Sequence, residues 1–412
     1  MKTVRVLHIT PSVRLLGARR SLLVLAAGLA GSRYEPVVLV PSAAPASLTE
    51  ELDRRKLRWL RLRLPPWRKL GSWAAMAWRV HALRQICAAE NIGLIHCNEI
   101  YPNPHAVCAA HTGALLPQLA SAMLDRRPLG LPRLPIVTHM RLSVTPRMVR
   151  NYLLEHATRL IAVSEAAAGD FDPFTWKARK VRVVHNGVDF EEFEAARERR
   201  HLVRKQLGFT ESDFVIGQIG LLSPRKRPKF TLAAASIILA LAPHTRFVFV
   251  GEPSPTNKGY LEELQREAVA RGIADAVRFV PFQQRVADYF AALDLNLLIS
   301  NDEGFGRVII EAAAAGVPTF GSNVGGIPEL IRDGETGWIL GPRNAPDEVF
   351  DTLLPDFAEA VAQLAYSPET ARAAGEAARR HCHALFSAER YVEGVARVFD
   401  EALEEHAAVL RG

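Results

Sequence analysis

The apolar positions of this chain fall into short, nearly unbroken runs, separated by longer stretches with a helical repeat. Residues 4–10 (Val-Arg-Val-Leu-His-Ile-Thr) read as a buried strand, 21–29 as a helix with one apolar face, and 34–40 as the next strand. Further strands are expected at 93–97, 135–139 and 160–163, the last followed by Ser164 as a helix N-cap. Another at 181–185 ends on Asn186-Gly187, a turn signal. A charged helical stretch over 191–207 carries the chain across, and the rhythm restarts with strands at 214–219, 246–250, 277–280, 295–299 and 319–320. Ser367-Pro368-Glu369 and Phe386-Ser387-Ala388-Glu389 are helix starts, and a long final helix follows the second. Strands separated by helices of this length imply parallel sheets with right-handed crossovers. The pattern predicts an α/β protein with two Rossmann-like, doubly wound domains facing across a cleft. The N-terminal domain is expected over 1–190, the second over 191–385, and a C-terminal helix over 386–412 packing back toward the first. Ligands of such sheets gather beyond the carboxyl ends of the strands where strand order reverses. Two such edges across a cleft would make a deep site able to close by hinge motion.

Composition narrows the class. At 412 residues the chain is long enough for two cores. Its 49% hydrophobic and 23% charged content excludes a disordered protein, and no apolar run reaches the roughly 20 residues a bilayer crossing needs. The first strand begins at the start of the chain, so no signal peptide is expected, and the four cysteines (Cys87, Cys97, Cys108 and Cys382) lack metal-like spacing. His381-Cys382-His383 reads more readily as a local cluster at a helix end than as a metal site. Reducing cytosol is the expected compartment.

Two carboxylates and a set of glycines carry the candidate chemistry. In Asn301-Asp302-Glu303-Gly304-Phe305-Gly306-Arg307 a strand gives way to a glycine-spaced turn and a helix begins near Gly306. Glycines let backbone amides approach a ligand, and the helix N-terminus favours a phosphate there. Glu311 lies about two helical turns beyond Glu303 and projects along the same groove. One carboxylate could then bind sugar hydroxyls and the other ribose hydroxyls; by spacing alone, two surface carboxylates fit equally well.

The wider series resembles the family 4 retaining glycosyltransferases of the GT-B fold. Gly325-Gly326-Ile327-Pro328-Glu329 and Gly334-Glu335-Thr336-Gly337 follow the glutamate pair at the family's distances, and the likeness runs through nearly the whole chain. It implies a metal-independent, cofactor-free transferase that uses a nucleotide-sugar donor, with retention of configuration. Glu303 would lie beside the donor sugar and Glu311 on the ribose. Gly304, Phe305, Gly306 and Arg307 would form the loop whose amides meet sugar and diphosphate. Gly220 and Lys226 correspond to the phosphate motif, Lys226 neutralising the departing diphosphate, and backbone near Pro281 and Phe282 would form the base pocket. His139 corresponds to the active-site histidine near the anomeric carbon. Arg141 is a candidate anion contact for acceptor or diphosphate, and Asn98 either touches the acceptor or serves as a cap or turn residue. The chain departs from the pattern at Leu221, where the family usually has arginine, leaving Arg225 or Arg227 to supply the charge. It departs again at Leu16-Gly17, where a glycine pair is usual, although Gly17 still offers an amide.

Charge divides the chain. Residues 1–185 hold 27 Lys+Arg against 11 Asp+Glu, while the remainder holds 24 against 33. The first half therefore faces something anionic. Residues 54–79 concentrate Arg54, Arg55, Lys56, Arg58, Arg61, Arg63, Arg68, Lys69 and Arg79 with Trp59, Trp67, Trp73 and Trp78. Such a mixture suits the headgroups of an anionic membrane leaflet at the inner face of the plasma membrane; an edge strand and helix with core tryptophans and a solvated basic face is the competing reading. Nucleic acid is not expected, since no nucleic-acid module appears and the acidic second half would repel it. The expected function is transfer of a sugar, from a UDP-sugar by preference or from GDP-mannose, to a polysaccharide or lipid-linked acceptor in cell-surface glycan synthesis. The alternatives on the same fold are a sugar-nucleotide epimerase, a phosphorylase, or a sugar-nucleotide-binding protein without activity.

Overall fold

The computed structural model describes residues 3–11, 17–67, 73–111, 134–254 and 256–411, apart from the side chains of 73–75 and 410. It divides into two compact units: Met1–Gly187 with Ala388–Gly412, and Val188–Ser387.

The first unit is built on a seven-stranded parallel sheet: β1 (Val4–Ile9), β2 (Tyr34–Val40), β3 (Arg58–Arg61), β4 (Ile92–Cys97), β5 (Ile136–Met140), β6 (Arg159–Ala162) and β7 (Val181–Val183). Their order is β3-β2-β1-β4-β5-β6-β7, so strand order reverses between β1 and β4. The central strands are almost wholly apolar because helices cover both faces. On one face Val6, Leu94, Val137 and Ile161 meet Tyr391, Val395, Val398, Phe399 and Ala402 of the helix Ala388–Arg411. Those five positions form one helical stripe. Leu25 and Leu29 of the helix Gly17–Leu29 complete the cluster. The two helices touch closely at Gly28, where an added Cβ would lie 2.5 Å from Val392 Cγ2. Polar clasps hold the C-terminal helix at its flanks: Tyr34 Oη donates to Asp400 at 2.6 Å, and Arg182 Nε lies 2.9 Å from Glu401.

Side chains two residues apart on a strand share a face. One rung above Val6, Leu94 and Val137, toward the carboxyl ends, lie His8, His96 and His139, all fully buried. They form a chain, His8 Nδ1 to His96 Nδ1 at 2.8 Å and His96 Nε2 to His139 Nδ1 at 2.7 Å, against Phe399 and Tyr391. Burial draws His8 down to about 3 and holds His96 and His139 well below the usual histidine range, with the charge of Arg141 pushing the latter two the same way.

The second unit carries a six-stranded parallel sheet: β8 (Phe214–Ile219), β9 (Thr245–Val250), β10 (Val277–Val280), β11 (Leu295–Leu298), β12 (Thr319–Ser322) and β13 (Gly337–Leu340), in the order β10-β9-β8-β11-β12-β13. Here the order reverses between β8 and β11. The helices Pro228–Leu241 and Asp347–Tyr366 pack a core around Phe247, Phe249, Phe320, Phe350 and Phe357. The pattern along the chain does not predict β3 or β13 as strands. Both are four-residue edge strands with partly exposed central residues: β3 sets two apolar residues between arginines, and the apolar run of β13, Trp338 to Leu340, is too short to stand out. Among the described residues no helix is long and apolar enough to cross a membrane.

The histidine row gives the first unit a pH dependence whose sign follows from the shifts. Each folded-state pKa lies below the ordinary 6.5. On acidification the unfolded chain therefore takes up the proton first, and stability is lost from pH 6.5 downward until the folded value is reached. One such ring contributes ~1.4 kcal/mol per pH unit, so three remove up to about 4 kcal/mol between pH 6 and 5. Urea denaturation followed at pH 7, 6 and 5 should show the first unit's midpoint falling steeply; an unchanged midpoint would mean the rings are not held neutral.

Candidate active site

The sequence expectations concentrate at the two places where strand order reverses. In the second unit β8 ends at Gly220, whose φ is +138°, and a tight turn over Pro224–Lys226 leads into the helix Pro228–Leu241. Gly251, after β9, sits so close that an added Cβ would lie 1.8 Å from Gly220 O; only glycine fits there. Across the reversal β11 runs into the loop 299–306, and Gly306, at φ +98°, begins the helix Arg307–Ala314, where a glycine brings no side chain of its own to cap the first amides.

These two loops are stitched together. Lys226 Nζ pairs with Glu303 Oε2, both side chains largely enclosed. Arg225 Nη1 donates to Asp302 O at 2.7 Å, and Asn301 N donates to Arg225 O at 3.0 Å. Gln218 Nε2 donates to Lys226 O at 2.5 Å, fixing the lysine's main chain from below. The turn Gly325-Gly326 braces the far side: Gly326 N donates to Glu303 O at 2.9 Å, and a Cβ at Gly325 (φ +51°) would lie 1.9 Å from the same oxygen. Glu311 is buried and bonded to Arg307 Nε at 2.8 Å. Gly304 and Phe305 are buried, Phe305 against Phe386. Pro281 and Phe282 follow β10, whose Val280 O accepts from Gly251 N at 2.9 Å; Phe282 is exposed.

The structure separates the two arginines named as substitutes for the missing one. Arg227 is committed elsewhere: its guanidinium lies 3.6 Å over the Phe350 ring, pairs with Asp347 and donates to Ser300 O. Arg225 is exposed, its main chain and one side-chain nitrogen clipped to the Glu303 loop.

In the first unit the reversal between β1 and β4 is bridged by Asn98. Its amide donates to Ile9 O at 3.0 Å and its Nδ2 to Ala18 O at 3.0 Å, in the first turn of the helix that Gly17 opens. Arg141, just past β5, donates through Nε to Asn98 O at 2.9 Å and through Nη2 to Asn98 Oδ1 at 2.8 Å. Its Nη1 reaches Asn186 Oδ1 at 2.6 Å, and Nη2 also reaches Tyr391 Oη at 3.1 Å. Asn98 is thus a fully buried tie rather than a projecting group, and Arg141 spends four of its five N–H donors within the unit. His139 lies one rung below Arg141 with its ring enclosed. Leu16 lies outside the described residues. Sequence reasoning passed over Glu99, Arg19, Asn186 and Tyr391. Glu99 was legible only as the residue after Asn98, and Asn186 was read as a turn signal alone. Burial pulls Arg19 down to about 10, opposed by Glu99.

The basic, tryptophan-rich stretch is partly neutralised. Arg54 and Arg55 pair with Glu51, and Arg58 with Glu90. Arg61 lies over Trp59, whose Nε1 donates to Asp53 at 2.8 Å. Trp67 meets His105, whereas Trp78 is 69% exposed. Arg68 and Lys69 lie outside the described residues. In the His381-Cys382-His383 cluster, His383 packs on Phe190, His381 on Phe386, and Cys382 is buried beneath Ile310 O.

Two parallel sheets, each with a polar bridge at its reversal point and one with a glycine-lined helix start beside a lysine, define a two-domain α/β protein of the GT-B fold. Residues 16–192 match the model of glycosyltransferase family 4, and residues 200–381 match that of the group 1 glycosyl transferases. The chain belongs to this glycosyltransferase family. A D-inositol 3-phosphate glycosyltransferase of Streptomyces scabiei is 33% identical over 62% of this chain and 56% of its own length. The N-acetyl-alpha-D-glucosaminyl L-malate synthase of Bacillus anthracis is 28% identical over 78% of each chain. The solved structure of Anabaena HepE with UDP and glucose superposes with a TM-score of 0.77 at 21% identity, covering 96% of this chain and 99% of that one. The matched stretch thus spans little more than half the length of the Streptomyces relative.

Gly325 supplies the sharpest test of this geometry. Gly325→Ala forces a methyl group onto Glu303 O and a side chain into a left-handed backbone, so it should lower stability by ~1–3 kcal/mol and displace the Glu303 loop. Thermal denaturation measures the first effect. Loss of the stabilisation conferred by UDP measures the second; a variant with wild-type melting and wild-type UDP response would contradict the close approach.

Proposed function

We propose that this protein is a retaining glycosyltransferase that moves a sugar from a nucleotide-sugar donor, a UDP-sugar in preference to GDP-mannose, to a glycan or lipid-linked acceptor in cell-surface glycan synthesis. The observation that carries the reading is the Lys226–Glu303 pair beside the glycine-led start of the helix Arg307–Ala314. An ammonium, helix-start amides and a close glycine turn at one sheet reversal are the requirements of a diphosphate.

In this reading the second unit holds the donor. The diphosphate draws Lys226 away from Glu303, and Arg225 stands in for the cation missing at Leu221. Glu303, released, accepts hydrogen bonds from the sugar hydroxyls, while Glu311, oriented by Arg307, takes the ribose. The bond between the anomeric carbon and the phosphate oxygen breaks as the acceptor oxygen bonds to the same face. The departing phosphate takes the acceptor proton, so no protein base is needed and no metal or cofactor enters. Lysine and helix amides stabilise the charge that develops on the leaving diphosphate. The first unit takes the acceptor. There His139, its ring enclosed, contributes through the main chain of β5, and Arg141 fixes the edge above it. The relatives' names add inositol 3-phosphate and malate as acceptor candidates.

Glu303→Ala and Lys226→Ala should each lower turnover at least about tenfold, ~1.4 kcal/mol of transition-state stabilisation, without unfolding the protein. Nucleotide release from UDP-sugars measures it; wild-type rates in both variants would remove the assignment.

We also assign residues 54–79 to an anionic membrane surface. Support comes from exposed Trp78 together with exposed Lys56 and Arg63, which have no ion-pair partner among the described residues. Co-sedimentation with phosphatidylserine vesicles should fall with salt and fall further in Trp78→Ala. Binding that ignores both salt and the tryptophan leaves the stretch an ordinary solvated edge.

A further inference from the structure

The acceptor side is where the first unit says something the family likeness does not. At the reversal between β1 and β4, the side chains nearest the sheet are already spent. Asn98 is tied to Ala18 and Arg141, and Arg141 to Asn98, Asn186 and Tyr391. The next residue, Glu99, is half-buried and makes no hydrogen bond among the described residues, so its carboxylate is open to a ligand. Burial raises its pKa, while Arg141 and then Arg19 act in the opposite direction. Two residues further, Tyr101 is 45% exposed, its ring edge-on to Tyr152 with centroids 5.5 Å apart and planes at 88°. Glu99 is close enough for its charge to act on the Tyr101 hydroxyl.

We propose that Glu99 and Tyr101 form the acceptor subsite, and that its occupant is an uncharged sugar or polyol ring rather than an acceptor carrying phosphate or carboxylate. This rests on the transferase reading above. The chemistry of each group selects the same ligand. A carboxylate can accept from two neighbouring hydroxyls at once, with charge-assisted strength. A tyrosine held edge-on by a second ring offers a rigid apolar face to the C–H side of a pyranose or cyclitol. The local guanidinium of Arg141 already gives four of its five N–H donors to Asn98, Asn186 and Tyr391, which leaves little of it for an anion. A phosphate placed here would instead meet Glu99, and like charges in contact repel. Glu99 is thereby a specificity-determining residue: it admits hydroxyls and rejects anions.

The test uses the full-length chain with UDP present and four probes: methyl α-D-glucopyranoside and myo-inositol as neutral rings, D-inositol 3-phosphate and L-malate as anions. Saturation-transfer NMR should give signal from at least one neutral ring and none from either anion. Glu99→Gln and Tyr101→Ala should each cut the neutral signal at least fivefold, Tyr101→Phe should keep it, and Glu99→Gln should let an anion in. Stabilisation by UDP in the same samples reports the donor site and the fold. A wild type that does not respond to UDP fails the transferase reading itself. If UDP stabilises but the anions bind in preference, or no neutral ring binds, or both variants stay within twofold of wild type, the acceptor assignment alone is overturned.

Discussion

A parallel sheet whose strand order reverses leaves a crevice at its carboxyl edge, because the loops on either side of the reversal leave in opposite directions. The backbone closes it only in part, through Asn301 N to Arg225 O in the second unit and Asn98 N to Ile9 O in the first, and side chains do the rest. In the second unit the bridge is ionic, Lys226 to Glu303, with Arg225 and Asn301 alongside. In the first it is neutral at its centre, Asn98 to Ala18, reinforced by the guanidinium of Arg141. The difference decides what each edge can do. A largely enclosed ammonium and carboxylate can part only where another charged or polar partner replaces each. Asn98, fully buried and holding four hydrogen bonds, two through its carboxamide and two through its main chain, has no such exchange open to it. On the proposed reading the second edge opens for a diphosphate, while the first keeps its shape.

The loop after β8 shows how the backbone sorts neighbouring cations into different settings. Leu221 brings no charge, and of the three consecutive cations that follow, each has a separate task. Lys226 faces Glu303. Arg227, in a left-handed conformation at φ +45°, turns to stack on Phe350 and anchor the helix Asp347–Tyr366. Arg225 alone remains exposed beside the glutamate loop. A basic run that reads as uniform in sequence is thus divided by the backbone, and the division follows from where each Cα points after a tight turn.

Most of the architecture was legible because buried parallel strands are apolar runs and the helices between them keep a 3.6-residue repeat. The segments 34–40, 214–219 and 277–280 form strands with those same bounds. What stayed hidden has physical causes. The edge strands β3 and β13 are half solvated and only four residues long, so neither gives an apolar run of strand length. The pairing of Lys226 with Glu303 joins residues 77 apart, and no local pattern encodes it. Asn98 and Arg141 could be named as polar residues at strand ends. Whether they would face a ligand or each other depended on the strand order, which sequence patterning does not supply. The histidine row was the least legible of all, since His8, His96 and His139 meet only because β1, β4 and β5 lie side by side.

That row also explains why the C-terminal helix matters to the first unit's ligand edge. Three neutral imidazoles joined by two hydrogen bonds can place their protons in two ways, all pointing toward His139 or all toward His8. Either way one terminal Nε2 bears a hydrogen and the other a lone pair, and neither finds a partner among the described residues. Each orphaned group costs about 1–3 kcal/mol. A cation on His96, donating both ways, would satisfy both bonds but would set a buried charge beside Arg141. The row is therefore a net cost, tolerated because Phe399 and Tyr391 seal it from water. Tyr391 also accepts from Arg141, directly above. The helix that closes the core over the histidines thus helps set the guanidinium holding Asn98, and through Asn98 the platform on which Glu99 and Tyr101 stand.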